Sequence, residues 1–143
     1  MRRQELKIET RGEAFYEVTT EVSKALEKQV DFRGQAEGVL HLFVPHTSCA
    51  LCINESFDPS AREDMETFLK SLAPRDLGFI KHRSEGPDDS PSHMKALLLQ
   101  QNLAFPVEGG EMLLGTWQGI YLAEFRDHPH HRKIWVKYVP DPA

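Results

Sequence analysis

Apolar and polar residues alternate along the first part of the chain before the pattern changes to helical spacing. Residues 5–10 and then 14–18 alternate between the two classes, which is typical of half-buried strands. Between residues 18 and 26 the apolar positions recur every three or four residues. This spacing predicts an amphipathic helix over about 19–29.

The next segments predict two strands and a helix. In residues 38–46 (GVLHLFVPH) alternate side chains form two distinct faces, as in a strand. Residues 49–55 (CALCINE) predict a second strand that returns beside the first, as in a hairpin. Asp58 and Pro59 then supply a helix N-cap followed by a proline at the first helical position. The predicted helix ends near residue 72, and its apolar face consists of Ala61, Met65, Phe68, Leu69 and Leu72.

The remainder of the chain predicts a loop, a third helix and a β-rich end. The polar segment 75–90 has the length of a functional or disordered loop. Ser90 and Pro91 predict the start of the third helix, with one face formed by Met94, Leu97, Leu98 and Gln101. From residue 102 we expect strands in two sequential antiparallel pairs. This order of elements favours a single α+β domain over 1–143, with a mixed or antiparallel sheet and about three helices.

Composition and charge exclude several classes of protein. The 143 residues are 40% hydrophobic and 27% charged, which is ordinary for a globular protein. The net charge of −5 and the lack of a Lys/Arg run predict no nucleic-acid partner. No apolar run approaches the roughly 18 residues of a membrane span, so we expect no membrane association. With only two cysteines and no apolar stretch after the first arginines, the expected location is the cytoplasm.

Three histidines are candidate metal ligands. His46 ends a strand at the rim of its apolar face, where a histidine bonded to a backbone carbonyl is the alternative. His93 is predicted at the third position of its helix, where the dipole favours the neutral imidazole that a metal requires; it could equally be a plain polar residue. His82 lies in the polar loop, followed by the carboxylates Glu85, Asp88 and Asp89. This mixture of ligands suits Zn²⁺, Mn²⁺ or Mg²⁺, although a solvated acidic loop has the same composition.

Other polar side chains are candidates for catalysis or substrate binding. Asn54 and Glu55 end the 49–55 strand and face opposite ways. Asp64 borders the apolar face of the second helix, where it is a solvated flank, a partner that orients a metal ligand, or a general base. The cations able to anchor a phosphate are Arg83, Lys95, Arg126 and Arg132.

Two motifs are assigned to structure rather than to chemistry. Residues 127–132 (DHPHHR) predict a turn with solvated histidines, of which only His128 is left open. Cys49 and Cys52 have CxxC spacing but lie on a predicted strand, whereas a redox pair normally opens a helix. We therefore assign both thiols to packing.

Three segments, together spanning roughly 38–139, resemble the YjbQ family and occur in the family's order. They are HLFVPHTSCALCINESFDPSAREDME, HRSEGPDDSPSHMKALLL and LGTWQGIYLAEFRDHPHHRKIWV. The resemblance implies a compact α+β fold, a homotrimer and a secondary thiamine-phosphate synthase activity. That reaction joins hydroxymethylpyrimidine pyrophosphate to thiazole phosphate and releases pyrophosphate. Carried over by motif position, the candidate site consists of His46, Asn54, Glu55, His82, Glu85, Asp88, Asp89, His93, Trp117 and Gln118.

We therefore expect a metal-dependent transferase that acts on phosphorylated small molecules. The expected ligands of a divalent ion are His46, His82, His93 and Glu85. The expected substrate contacts are Arg83, Asp88, Asp89, Trp117, Gln118 and Arg126, and the expected catalytic residues are Asn54, Glu55 and Asp64. Trp117 could stack on a heteroaromatic ring or serve as a core or interface aromatic. The alternative is a non-catalytic metal- or ligand-binding homotrimer whose synthase activity is incidental.

Overall fold

Two antiparallel β-sheets and three helices make up the computed structural model, which describes residues 3–31 and 36–142. The described strands are β1 (Gln4–Arg11), β2 (Ala14–Glu17), β3 (Gly38–Phe43), β4 (Cys49–Glu55), β5 (Asn102–Glu108), β6 (Glu111–Met112), β7 (Gln118–Glu124) and β8 (Pro129–Pro140). The described helices are α1 (Thr19–Glu27), α2 (Pro59–Leu72) and α3 (Asp89–Leu98). The larger sheet has the order β1-β8-β3-β5-β6 and the smaller one β2-β7-β4. The α+β prediction is confirmed.

The smaller sheet separates two apolar clusters. The cluster between the two sheets takes Ile120 and Leu122 from β7, together with the inward residues of β3, β5 and β8 and the buried face of α1. The cluster on the other side takes Tyr121 and Ala123 from β7 and lies under α2 and α3. Because successive side chains of a strand point to opposite faces, β7 is buried on both.

The first two helices form close to where the hydrophobic pattern predicts them. α1 ends at Glu27, two residues short of the prediction, and α2 occupies Pro59–Leu72 as predicted. The carboxylate of Asp58 caps α2 by accepting a hydrogen bond from the N–H of Ser60 at 2.9 Å. Only Leu69 of the predicted apolar face is fully buried, whereas Phe68 and Leu72 are exposed. The packed face of α2 is therefore narrower than its pattern implies.

The buried face of α3 differs from the predicted one. Leu97 and Leu98 are exposed, and the buried positions are instead Asp89, Pro91, Ser92, Lys95 and Ala96. The ammonium group of Lys95 pairs with the carboxylate of Glu13 and lies 5.4 Å from the ring centroid of Phe125. Polar side chains face inward here because each has a partner within the fold. Hydrophobic periodicity alone selected the wrong face.

Two of the three strand pairings predicted from sequence order do not form. β3 and β4 lie in different sheets rather than in a hairpin, and β7 and β8 are likewise separated. Of the two predicted C-terminal pairs, only β5 with β6 forms. Residues 100–101 connect the two sheets through backbone hydrogen bonds. The carbonyl of Gln101 accepts from the N–H of Val44, directly after β3, and the carbonyl of Gln100 accepts from the N–H of Leu51 in β4. Alternation identifies strands but carries no information about their partners.

No helix of the described segments is long and apolar enough to cross a lipid bilayer.

Leu122 should be a main determinant of stability, because it is fully buried at the centre of β7. We expect Leu122→Ala to lower the free energy of unfolding by about 2–5 kcal/mol, as is typical of a cavity in a packed core. Urea denaturation measures the change. Leu113→Ala is the matched control, because Leu113 is about half exposed and its truncation should cost less than about 0.5 kcal/mol. Equal losses in the two variants would contradict this description of the core.

Candidate metal centre

Two histidines and one aspartate come together at the start of α3. One ligand atom from each of His82, Asp89 and His93 lies within 4.8 Å of the other two. The Nε2 atom of His82 is 2.7 Å from Oδ2 of Asp89, and Nε2 of His93 is 3.1 Å from the same oxygen. The carboxylate is buried, while both imidazoles are partly open to solvent. The carboxylate side of the cluster is thus enclosed by the fold, and the imidazole side is accessible to solvent.

A tight turn at Gly86 brings the loop back over the helix. Gly86 has φ of 104°, a left-handed conformation that favours glycine, and its carbonyl accepts from the N–H of Asp89 at 3.4 Å. His82 precedes this turn and therefore lies beside Asp89. His93 follows Asp89 by one helical turn, which places the two on the same face of α3.

The start of α3 lies two residues earlier than predicted. Asp88, rather than Ser90, occupies the N-cap position, so His93 lies in the second turn of the helix. The effect of the helix dipole fades beyond the first turn, which removes the predicted reason for a neutral His93. The carboxylate of Asp88 makes no capping bond, because it is turned toward Arg126.

The hydrogen bonds of His93 constrain what can lie between it and Asp89. Its Nδ1 atom is 2.8 Å from the carbonyl oxygen of Thr47, which can only accept, so Nδ1 carries a proton. In a neutral imidazole Nε2 then presents a lone pair toward the carboxylate of Asp89. Two electron-rich atoms at 3.1 Å require a positive charge between them, supplied by a second proton or by a metal ion. This arrangement of an oriented histidine is common in metal sites.

The guanidinium group of Arg126 bridges the carboxylates of Asp88 and Asp89. Its Nε donates to Oδ2 of Asp88 at 2.8 Å and its Nη1 to Oδ1 of Asp89 at 2.7 Å. Burial raises the pKa of Asp88, but hydrogen bonds from Arg126 and from the N–H of Asp127 outweigh it and bring the pKa down to about 2. Burial likewise opposes ionisation of Asp89, yet the bond from His82 and the charges of His93 and Arg126 lower its pKa overall. Both carboxylates are therefore ionised at neutral pH.

Two predicted metal ligands do not join this group. His46 accepts a hydrogen bond at Nε2 from the N–H of Lys133 at 2.9 Å, so that nitrogen is occupied by the backbone. Burial, with a further contribution from Arg132, lowers the pKa of His46 and favours its neutral form. Glu85 is exposed and reaches the site through its carbonyl oxygen, which accepts from Arg126 at 3.1 Å.

Four other predicted site residues lie at the opposite end of the smaller sheet. Cys49 pairs with Glu124 and Glu55 with Gln118. Most of β4 therefore separates Asn54, Glu55, Trp117 and Gln118 from the end at Cys49 and Glu124 that carries the candidate cluster, hereafter the metal end. At about 3.4 Å per residue this distance is about 20 Å. The two ends cannot contact the same small molecule within one chain.

The residues at that far end have local structural roles. The carboxylate of Glu55 accepts from the N–H groups of Phe57 and Asp58, each at 3.0 Å, and so shapes the turn into α2. The side-chain oxygens of Asn54 and Gln118 accept from nearby N–H groups at 2.8 and 2.7 Å. The ring of Trp117 meets that of Phe57 edge to face at 5.0 Å, and both are exposed.

The remaining candidates are dispersed. Asp64 is exposed on α2, and Arg83 is exposed directly after His82. Lys95 and Arg132 are buried and paired with Glu13 and Glu124, so neither is available as a surface phosphate anchor. The predicted turn at 127–132 is replaced in part by β8, which begins at Pro129. His128, His130 and His131 lie outside the His82–Asp89–His93 cluster.

Sequence reasoning missed the backbone and buried groups that orient the cluster. The carbonyl of Thr47 could not be singled out, because main-chain acceptors leave no trace in a sequence. Glu124 did leave a signal: it is a charged residue at the end of the apolar run GIYLAEF. Such a residue is either at an exposed strand end or paired in the interior, and the structure shows it buried against Arg132.

Fold and site together define a small α+β protein with two curled antiparallel sheets and a His–Asp–His cluster at the start of a helix. Residues 4–141 match the family model described as UPF0047 protein YjbQ-like, and the chain belongs to the YjbQ family. It is 41% identical over 129 residues to UPF0047 protein YjbQ of Escherichia coli O157:H7, which covers 90% of this chain and 91% of that protein.

Solved structures of relatives have the same fold. A conserved hypothetical protein from Thermus thermophilus is similar with a TM-score of 0.83 and 37% identity, over 95% of this chain and 99% of that one. A YjbQ/UPF0047 family protein from Clostridium acetobutylicum has a TM-score of 0.83 and 34% identity, again over 95% and 99% of the two chains. The predicted family resemblance is confirmed.

The pair of Asp88 and Arg126 should stabilise the fold in a pH-dependent way. The pKa of Asp88 falls from 3.8 to about 2 on folding, so its contribution is fully present above about pH 4 and is lost as the pH falls toward 2. We expect Asp88→Asn to cost about 2 kcal/mol in urea denaturation at pH 7. The difference from the wild type should narrow below pH 4. A difference that stays constant down to pH 2 would contradict the assigned pKa.

The two thiols should be unreactive in the folded protein. Burial raises the pKa of Cys49 to about 12 and that of Cys52 to about 11, which leaves almost no thiolate at pH 8. We expect slow labelling by a thiol-specific disulfide reagent at pH 8 and rapid labelling of both cysteines in denaturant. Fast labelling of the native protein would reopen the redox interpretation.

Proposed function

We propose that this chain is a metal-dependent enzyme acting on phosphorylated small molecules, with His82, Asp89 and His93 as the ligands of a divalent ion. The supporting observation is the orientation of His93, whose Nδ1 donates to the carbonyl of Thr47 while its Nε2 points at the carboxylate of Asp89. A cation between these atoms satisfies both. The nearby His82 supplies a second nitrogen on the same oxygen.

The geometry fits a small divalent ion with a modest adjustment. Zinc–nitrogen and zinc–oxygen bonds of about 2.0–2.2 Å place tetrahedral ligand atoms about 3.4 Å apart. The nitrogens of His82 and His93 are 2.7 and 3.1 Å from Oδ2 of Asp89, so each nitrogen must move away from that oxygen by less than about 1 Å. His82 is half-exposed on a loop and can make that adjustment. Mixed nitrogen and oxygen ligands suit Zn²⁺ or Mn²⁺ better than Mg²⁺.

The ligand set leaves room for a substrate. Three protein ligands with one open side are typical of catalytic rather than structural zinc sites. An ion bound there would act as a Lewis acid that stabilises negative charge on phosphate oxygens. Arg126 is committed to Asp88 and Asp89, so its role is to orient ligands rather than to bind substrate. Arg83 is exposed directly after His82 and is the better candidate for contacting a phosphate group.

The specific reaction is proposed from the family resemblance. It is the synthesis of thiamine phosphate from hydroxymethylpyrimidine pyrophosphate and thiazole phosphate, as a weak or secondary activity. The same resemblance is the basis for proposing a homotrimer, and we further propose a cytoplasmic location. In a trimer, the end of one subunit that carries Glu55 and Trp117 could lie beside the metal end of another.

A second candidate function is a non-catalytic trimer that binds a metal and a metabolite. The observation that favours it is the position of the predicted general bases. Glu55 caps a turn at the far end of β4, about 20 Å along the strand from Cys49, and Asp64 is exposed on α2. Within one described chain, therefore, Glu55 does not lie beside the proposed ion, and Asp64 is not among the grouped ligands.

Replacement of His93 should remove the metal without unfolding the protein. We expect near-stoichiometric zinc or manganese in the purified wild type by elemental analysis, and its loss in His93→Ala. His131→Ala is the matched control, because His131 is largely exposed on β8 and outside the cluster; it should retain the metal. Equal metal contents in the wild type and His93→Ala would refute the proposed ligand set.

Turnover separates the two candidate functions. Metal-loaded wild type is incubated with the two thiamine-phosphate precursors while pyrophosphate release is followed. Saturable release that falls at least about a hundredfold in Asp89→Asn would support an enzyme, since the carboxylate is the shared ligand. Metal retention with no turnover, together with calorimetric binding of either unreacted phosphate ester, would support the binding protein.

A further inference from the structure

A buried ion pair, formed by Glu124 and Arg132, lies at the metal end of the smaller sheet, on the interior side of the cluster. The side chain of Glu124 has no solvent exposure, and it pairs with the nearly buried guanidinium of Arg132. Nε of Arg132 donates to Oε1 of Glu124 at 2.7 Å and its Nη2 to Oε2 at 2.5 Å, a bidentate arrangement. Thr10 on β1 donates its hydroxyl to Oε1 at 2.6 Å. Neither the metal ligands nor the proposed substrate contacts include these residues.

The ion pair reaches the backbone of two loops. Oε2 of Glu124 accepts from the N–H groups of Phe125 and Arg126 at 3.1 and 3.2 Å. Nη2 of Arg132 donates to the hydroxyl of Ser48 at 2.8 Å and to its carbonyl at 3.4 Å. The N–H of Phe125 also donates to the carbonyl of Ser48 at 3.2 Å, which ties the two loops to each other.

These two loops supply the groups that orient the metal ligands. Thr47, next to Ser48, provides the carbonyl that accepts from Nδ1 of His93. Arg126 provides the guanidinium that holds Oδ1 of Asp89. The path from the ion pair to Asp89 therefore passes through Arg126 alone, and the path to His93 passes through Ser48 and its neighbour Thr47. Lys133, the neighbour of Arg132 on β8, further fixes the 46–48 loop by donating its N–H to His46.

We propose that Glu124 and Arg132 are positioning residues of the His82–Asp89–His93 cluster, acting through the 47–48 and 125–126 segments. The inference rests on the proposed function for its metal readout but not for its geometry. A buried ion pair contributes little net stability compared with apolar residues of the same volume. A pair that aligns two loops has a specific use that apolar side chains could not fulfil, because they cannot bond to the backbone N–H and C=O groups.

The test compares three variants that disturb the buried group from different sides. Arg132→Lys keeps the positive charge but loses both the bidentate hydrogen bonds to Glu124 and the hydrogen bond to Ser48. Ser48→Ala removes only the hydroxyl on the loop side. Thr10→Val is the matched control, because it removes a buried bond to the same Glu124 from the β1 side and touches neither loop. Urea denaturation and circular dichroism establish that each variant is folded.

Two measurements follow the orientation of the cluster. The first is the long-range ¹H–¹⁵N spectrum of histidine-labelled, metal-free protein in alkaline buffer, where the ring ¹⁵N shifts report whether Nδ1 of His93 keeps its proton. The second is the affinity for Co²⁺ in the same folded proteins. We expect Arg132→Lys to mix the tautomers of His93 and to weaken Co²⁺ binding about tenfold, the lower end of the range for outer-shell partners. Ser48→Ala should shift both in the same direction.

Each outcome bears on a different proposal. Unchanged tautomer and affinity in folded Arg132→Lys and Ser48→Ala would overturn the positioning role, as would equal changes in Thr10→Val. If Arg132→Lys does not fold, Ser48→Ala decides with the same two measurements. If the wild type binds no Co²⁺, the proposed function fails, while the tautomer of His93 still decides the positioning role.

Discussion

Burial of β7 on both faces is the constraint on which the rest of the structure depends. One face of the strand contributes to the core between the two sheets, and the other lies under α2 and α3. Water is therefore excluded from Gly119 to Glu124, and any charge that this part of the strand carries must find its partner inside the protein. Glu124, the last residue of β7, meets this requirement through Arg132, Thr10 and two N–H groups of the chain that follows.

Those internal hydrogen bonds fix the positions of two surface loops next to the cluster. Glu124 and Arg132 hold the loops that carry Thr47 and Arg126, and these in turn hold His93 and Asp89. The result is a gradient of solvent exposure, which rises from the buried, fully paired carboxylate of Glu124 to the half-exposed imidazoles of the cluster. An ion-binding cluster benefits from such a gradient, because its ligands must be oriented before binding while one side stays open to a substrate.

The two ends of the smaller sheet are chemically different. The end at Glu124 collects acids, histidines and arginines, whereas the end at Gln118 has an exposed aromatic pair and carboxylate-capped turns. Both ends lie within residues 4–141, which match the YjbQ family model. Within one chain, the side chains of Glu55 and Gln118 at the second end accept hydrogen bonds from the backbone of nearby turns.

The sequence by itself determined the α+β class, the family, nearly every strand and helix, and the chemistry of the loop around His82, Asp89 and His93. These follow from periodicity, capping residues and residue type, which are local properties of a chain. Only the tertiary structure decided which strands pair, which face of α3 is buried, and which candidates meet. His46 bonds to Lys133, and Glu55 closes a turn at the far end of β4, because strand register and loop contacts link residues that are distant in sequence. Such contacts depend on the packing of the whole chain, so no local pattern could have indicated them.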